Sequence, residues 1–205
     1  MHILRIATVY EPDLKTLPPE FRSVLTKMDV QAIRRGPKFF ATLAPSDSPT
    51  WLRKVLRGCS ESEFELQFYS SGDAPFRPFF RFSWEGEPAI SLPRKMRLRS
   101  DMPAFLRKLY AVIGSFVENG FDMAGGLNPG DALCSISETG MWVEPGEPID
   151  PHTAIPFLET FSGSQLCYLT DGGGAWLQSN EFRKVKSLER EVARYFNALL
   201  KGTRI

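Results

Sequence analysis

Apolar side chains recur along this chain at two different spacings, and the switches between them outline its elements. His2 to Tyr10 alternates as a strand does, and Pro18-Pro19 then opens a short helix with Phe21, Val24, Leu25 and Met28 on one side. Ser48-Pro49 is a helix start, a capping hydroxyl followed by a ring that needs no donor, ahead of Trp51, Leu52, Val55 and Leu56; Gly58 reads as its stop. Period two returns at Phe64, Leu66 and Phe68, and again at Phe80, Phe82 and Trp84, as expected of half-buried antiparallel strands. The turn Glu85-Gly86-Glu87-Pro88 leads the second of these into Ala89 to Leu92.

From Ser100-Asp101 the spacing of Met102, Leu106, Leu109, Ile113 and Phe116 predicts a long helix reaching about Val117, stopped by Asn119-Gly120. Gly, Asn and Pro crowd Met123 to Asp131, and Glu144 to Pro156 holds four prolines. Ala132 to Ser137 and Met141 to Val143, lying between, read as short strands. Two further strands flank Gly172-Gly173-Gly174. A last helix, capped by Ser187, carries Leu188, Val192, Tyr195, Phe196 and Leu199 on one stripe. Helices and strands mixed without regular alternation predict an α+β fold, a mostly antiparallel sheet with helices packed mainly on one face. At 205 residues the chain is expected to form a single domain, with 1–92 and 93–205 as its two parts if it is bilobed.

The triple glycine is the stretch most like a chemical motif. A phosphate loop needs backbone N–H groups and a following helix N-terminus converging on the anion. Here a strand follows instead, with no Lys-Ser or Lys-Thr, so Asp171-Gly172 reads as a hairpin turn. MHILRIATVY reads as a first strand rather than a signal peptide. Apolar runs such as LYAVIG from Leu109 fall far short of the ~20 residues that cross a bilayer. Three cysteines, Cys59, Cys134 and Cys167, without metal-ligand spacing, suit reduced thiols in a cytoplasmic protein. No cofactor is implied, and no metal-ligating set is recognisable in two distant histidines.

Charge placement adds what periodicity leaves out. Between Lys108 and Arg183 there is no Lys or Arg, yet Glu118, Asp122, Asp131, Glu138, Glu144, Glu147, Asp150, Glu159, Asp171 and Glu181 all lie there, a formal −10. All 25 bases and the other 14 of the 24 acids fall outside, a formal +11 that the net charge of +1 conceals. Either the two parts cancel against each other, or the acids are simply a solvated face, or they form a surface that receives a basic partner. The partner-binding candidates are Asp122, Asp131, Glu138, Glu144, Glu147 and Asp150, with Trp142 as an aromatic anchor or, equally, a core residue. Two other readings stand beside this one. One is a small hydrolase or transferase using His152 with Asp150 and a nearby cysteine. The other is nucleic-acid binding through Arg94, Lys95, Arg97 and Arg99, for which the alternative is a charged row guarding a sheet edge.

The segment from Ile155-Pro156-Phe157 through Gly163, Asp171-Gly172 and the Ser187 to Leu200 helix resembles the closing part of the SUKH superfamily, and the resemblance begins at about Pro93. It implies an α+β protein that acts by binding a toxin, often a nuclease, without catalysis. Such a partner is basic because it holds phosphates, so the resemblance and the acid-rich segment lead to the same expectation: an immunity-type inhibitor of a basic toxin.

Overall fold

A computed structural model describes residues 4–71, 75–84, 87–95, 98–117, 125–130 and 132–202. Among the described residues ten strands form one sheet in sequence order, each antiparallel to the next. They are β1 (Leu4–Val9), β2 (Phe64–Ser71), β3 (Arg77–Phe82), β4 (Ala89–Ser91), β5 (Ser115–Val117), β6 (Gly126–Leu127), β7 (Ala154–Glu159), β8 (Gln165–Leu169), β9 (Gly174–Gln178) and β10 (Glu181–Val185). The helices are α1 (Pro19–Ser23), α2 (Lys27–Arg35), a 3-10 turn (Pro37–Thr42), α3 (Thr50–Ser60), α4 (Ala104–Val112), α5 (Ile136–Thr139) and α6 (Leu188–Leu199). The sheet is continuous across the Leu92/Pro93 boundary, because β4 pairs with β5.

The main apolar cluster joins Phe68 and Phe80 of the sheet to Leu56 of α3, Leu106 of α4 and Val192 of α6. Phe40, fully buried, meets Phe80 and Phe82 at ring centroids 5.2 and 4.7 Å away, and Trp51 of α3 stacks on Phe196 of α6 at 4.5 Å. Each such ring contributes about 1.5–3 kcal/mol on burial. A second, smaller cluster gathers Cys167, Leu169, Ala175, Leu177 and Phe182 under Ile136 and Ile149. Since Leu166 and Tyr168 belong to the first cluster and Cys167 and Leu169 to the second, the two lie on opposite faces of β8. Here α5 and the proline-rich loop cover the second face.

Several expectations are corrected. The predicted helix to Val117 ends at Val112: Ile113 turns extended, and Ser115–Val117 pairs as β5. Gly114 lies so close to β4 that a Cβ would come within 2.6 Å of the Leu92 carbonyl oxygen, and its N–H donates to Ser91 O at 2.8 Å. Asn119-Gly120 falls outside the described residues. The helix expected from Pro18 to Met28 is two helices, the second started by Thr26. Gly58 does not end α3. It sits inside that helix because Trp84 packs against it, and a Cβ there would be 3.0 Å from the indole. Ser48 makes no cap, since Pro49 occupies that position.

Ala132 to Ser135 and Met141 to Val143 are not strands, and Ile136 to Thr139 is helical. The charged stretch from Glu181 is the edge strand β10. The glycines do form a hairpin: β8 and β9 pair antiparallel, with Gly172 and Gly173 at φ of 103° and 88°, a region open to glycine at little cost.

Candidate functional site

The acid-rich segment is organised around α5 and the loop after it. Ser135 and Glu138 form a capping box: Ser135 N–H and Oγ–H donate to Glu138 Oε2 at 2.7 and 2.9 Å. These donors, the backbone N–H first, hold the Glu138 carboxyl below its ordinary range, with the charges of Arg99 and His152 adding to the effect. Gly140, at φ +74°, ends the helix, and the chain emerges with Met141 and Trp142 facing solvent. Trp142 is 58% exposed and Met141 37%.

Beyond them the loop is fastened at several points. Val143 packs on the smaller apolar cluster and Ile149 is buried within it. Glu144 N–H donates to Asn180 O at 3.0 Å, and Phe182 N–H of β10 donates to Glu147 Oε2 at 2.7 Å. Asp150 Oδ1 accepts the backbone N–H of His152 at 2.9 Å, which turns the chain into β7. Inward anchors on both sides therefore hold Trp142 outward on a seated loop.

Seven of the ten acids lie among the described residues; Glu118, Asp122 and Asp131 lie outside them. Glu138, Glu144 and Asp150 are exposed on this loop and its helix, while Glu147 is half-buried and occupied by Phe182. Glu181 follows Asn180 and is exposed beside the loop's attachment. Asp171 is exposed in the turn where Thr170 bonds Thr153. Glu159 does not join them: it is half-buried, and burial raises its pKa. Among the described residues none of these seven carboxylates forms an ion pair with Lys or Arg. Periodicity alone absorbs Met141 into a strand; the signal against it is the adjacent pair Met-Trp between Gly140 and a proline-rich run.

The residues of the other two readings are placed differently. Ser137 Oγ lies 2.9 Å from the Nδ1 of His152, whereas Asp150 bonds that residue's backbone and not its ring. Cys59 and Cys167 are buried; burial pushes the Cys167 thiol up to about 12 and the Cys59 thiol higher still, the state of inert core cysteines. Cys134 is half-buried. In the basic row, Arg94 donates to Val24 O at 2.9 Å and lies 3.7 Å from Asp29, and Arg99 pairs with Asp101 at 2.8 Å. Met96 and Arg97 lie outside the described residues, and the described part of that row is not a strand. Two of its four bases are thus engaged within the protein.

Among the described residues no group of three or more His, Cys, Asp or Glu could hold a metal ion, and no helix is long and apolar enough to cross a membrane. A cavity of about 460 Å³ lies between α3 and α4 and is mainly apolar, with Asp47, Lys108 and Glu189 among its lining residues. It contains no histidine or cysteine. No family model matches this chain, and no curated protein or solved structure is significantly similar to it.

Proposed function

We propose that this chain is a non-enzymatic binding protein, an immunity-type inhibitor that neutralises a basic protein toxin from the cytoplasm. Its receiving surface is the α5 loop, with Trp142 as the anchor and Glu138, Glu144 and Asp150 as the surrounding charge. The observation that carries the reading is the 58% exposure of Trp142 on a loop fastened at both sides, in an acid-rich segment whose carboxylates form no ion pair with Lys or Arg among the described residues. Exposed aromatic side chains on seated backbone lose little entropy on docking and are the residue type on which binding energy concentrates. Unpaired acids around such a ring steer a cationic partner and exclude an anionic one. Glu147 acts here by holding the loop to β10. Asp122 and Asp131 belong to the same acid-rich segment, and the SUKH-like order of turns and strands supports the same class. In this reading α3, α4 and α6 form the main helical layer on one face, and the α5 loop is the exposed feature of the other.

The experiment is a binding titration against basic secreted effectors encoded beside this gene, at low and high salt. Trp142→Ala is expected to weaken binding by about 2 kcal/mol or more. Glu144→Lys is expected to slow association, and salt to weaken the complex. Affinity indifferent to salt and to both substitutions would remove the proposal.

A second reading rests on the 2.9 Å contact of Ser137 with His152, the arrangement of a hydroxyl beside a base. It predicts an esterase-type activity lost in His152→Ala with the fold retained; an unchanged background rate in that variant would discard it.

A further inference from the structure

On the other side of β10 from Phe182 a cleft of about 290 Å³ opens between the β7–β8 turn, the end of the sheet and α6. Arg183 of β10 and Arg194 of α6 both line it, as do Ser162, Ser164, Trp176 and Glu191. The turn is held by its own hydroxyls. Thr160 Oγ1 lies 2.9 Å from Ser162 Oγ and accepts Ser164 N–H at 3.1 Å, and Gly163, at φ +81°, lets the chain reverse there. The hydroxyls of Ser162 and Ser164 therefore sit side by side, 3.4 Å apart, at the mouth of the cleft.

The two guanidinium groups carry the chemistry. Arg183 is exposed and forms no ion pair among the described residues. Arg194, with its side chain 75% exposed, forms an ion pair with Glu191 at 3.9 Å and with no other described residue. That carboxylate is itself held by the indole N–H of Trp176 at 3.1 Å, so Glu191 offsets one positive charge and leaves the other. Two guanidinium groups lining one cleft together with hydroxyls are the groups that receive an oxyanion, and an indole in the same lining offers an apolar wall to whatever carries it. The volume, at the low end for ligand pockets, suits a single anionic group with one ring.

We infer that this cleft is a binding site for a small phosphate monoester, its phosphate held by Arg183, Arg194 and the turn hydroxyls and its organic part laid beside Trp176. The site is separate from the Trp142 loop and does not depend on what that loop binds. The probes are phenyl phosphate, inorganic phosphate and acetate, followed by calorimetry and by the indole ¹⁵N–¹H resonance of Trp176, assigned with Trp176→Phe.

Phenyl phosphate is expected to bind saturably and more tightly than inorganic phosphate, with acetate weakest. Arg183→Ala with Arg194→Ala, both at exposed positions, should weaken it at least about tenfold with the circular dichroism spectrum unchanged. Glu191→Gln, which keeps an acceptor for the indole while removing a repelling charge, should tighten it several-fold, a change that a merely structural role for Glu191 would not produce. Lys184→Ala, an exposed base that does not line the cleft, should leave it unaltered. No saturable response to phenyl phosphate, retention of binding in the double variant, or acetate binding as tightly as either phosphate would overturn the assignment.

Discussion

Gly126 shows how tightly a single position can be specified. It adopts φ +131° in a two-residue strand, and any Cβ would run into the Phe116 carbonyl across the β5–β6 pair. Gly126→Ala combines backbone strain with that collision and is expected to cost about 2–4 kcal/mol, read from urea unfolding. Trp142 is the opposite case. Most of its side chain touches only solvent, so Trp142→Ala should change stability by no more than about 0.5 kcal/mol while removing the proposed anchor. Glu147 lies between these extremes. Glu147→Ala leaves the Phe182 N–H without its carboxylate and should cost about 1–2 kcal/mol, with faster hydrogen exchange at that amide as the local sign. In the sequence Glu147 is one more acid in an acidic run. That it points back to an edge strand 35 positions later is invisible to any local pattern.

Helix α2 depends on a reciprocal cap. Asp29 N–H donates to Thr26 Oγ1 at 3.2 Å, while Asp29 Oδ2 accepts Thr26 N–H at 2.7 Å. Thr26→Ala should cost about 1 kcal/mol. Asp29→Ala should cost more, because Asp29 is almost fully buried and is also the carboxylate facing Arg94. Thermal melting of the two variants checks that order; equal losses would show that the Asp29 carboxylate adds nothing beyond the Thr26 cap. Thr-x-x-Asp at α2 and Ser-x-x-Glu at α5 are both spelled out in the chain, yet apolar spacing by itself overlooks them. Elements with strong alternation or a full apolar stripe are legible: β2 and α6 lie where their patterns place them, and β3 and α3 depart from theirs only at the ends. The pattern overruns α4 because Ile113 and Phe116 continue a helical spacing and also serve as inward residues of an extended chain.

Across the molecule, ionisable groups define the pH range of the fold. Asp101, beside the Arg99 guanidinium, and Glu138, on its cap, both hold pKa values below the ordinary carboxylate range. Their contribution is complete above about pH 4–5 and is lost as pH falls through the depressed folded values. At the other limb, burial, with the Asp101 charge second, raises Tyr168 to about 12. Its stabilisation is present below the ordinary value of about 10 and disappears as pH rises from there through about 12. Tyr168→Phe should flatten part of that alkaline limb in thermal melts, the buried cysteines keeping the rest. A limb of unchanged slope would show that the phenol ionises as freely in the folded chain as in the unfolded one.

The mixture of helices with antiparallel strands and the Asp171-Gly172 hairpin follow from near-neighbour spacing, which depends on residues a few positions apart, and the segregation of charge is read from the residue order itself. The end of α4, the short strands β5 and β6, the outward turn of Trp142 and the internal use of Arg94 and Arg99 come from the assembled molecule. They are set by contacts between distant segments: Gly114 against Leu92, Phe182 against Glu147, Arg94 against Asp29. Spacing along a chain tells which residues share a face, and only packing in three dimensions settles what that face will meet.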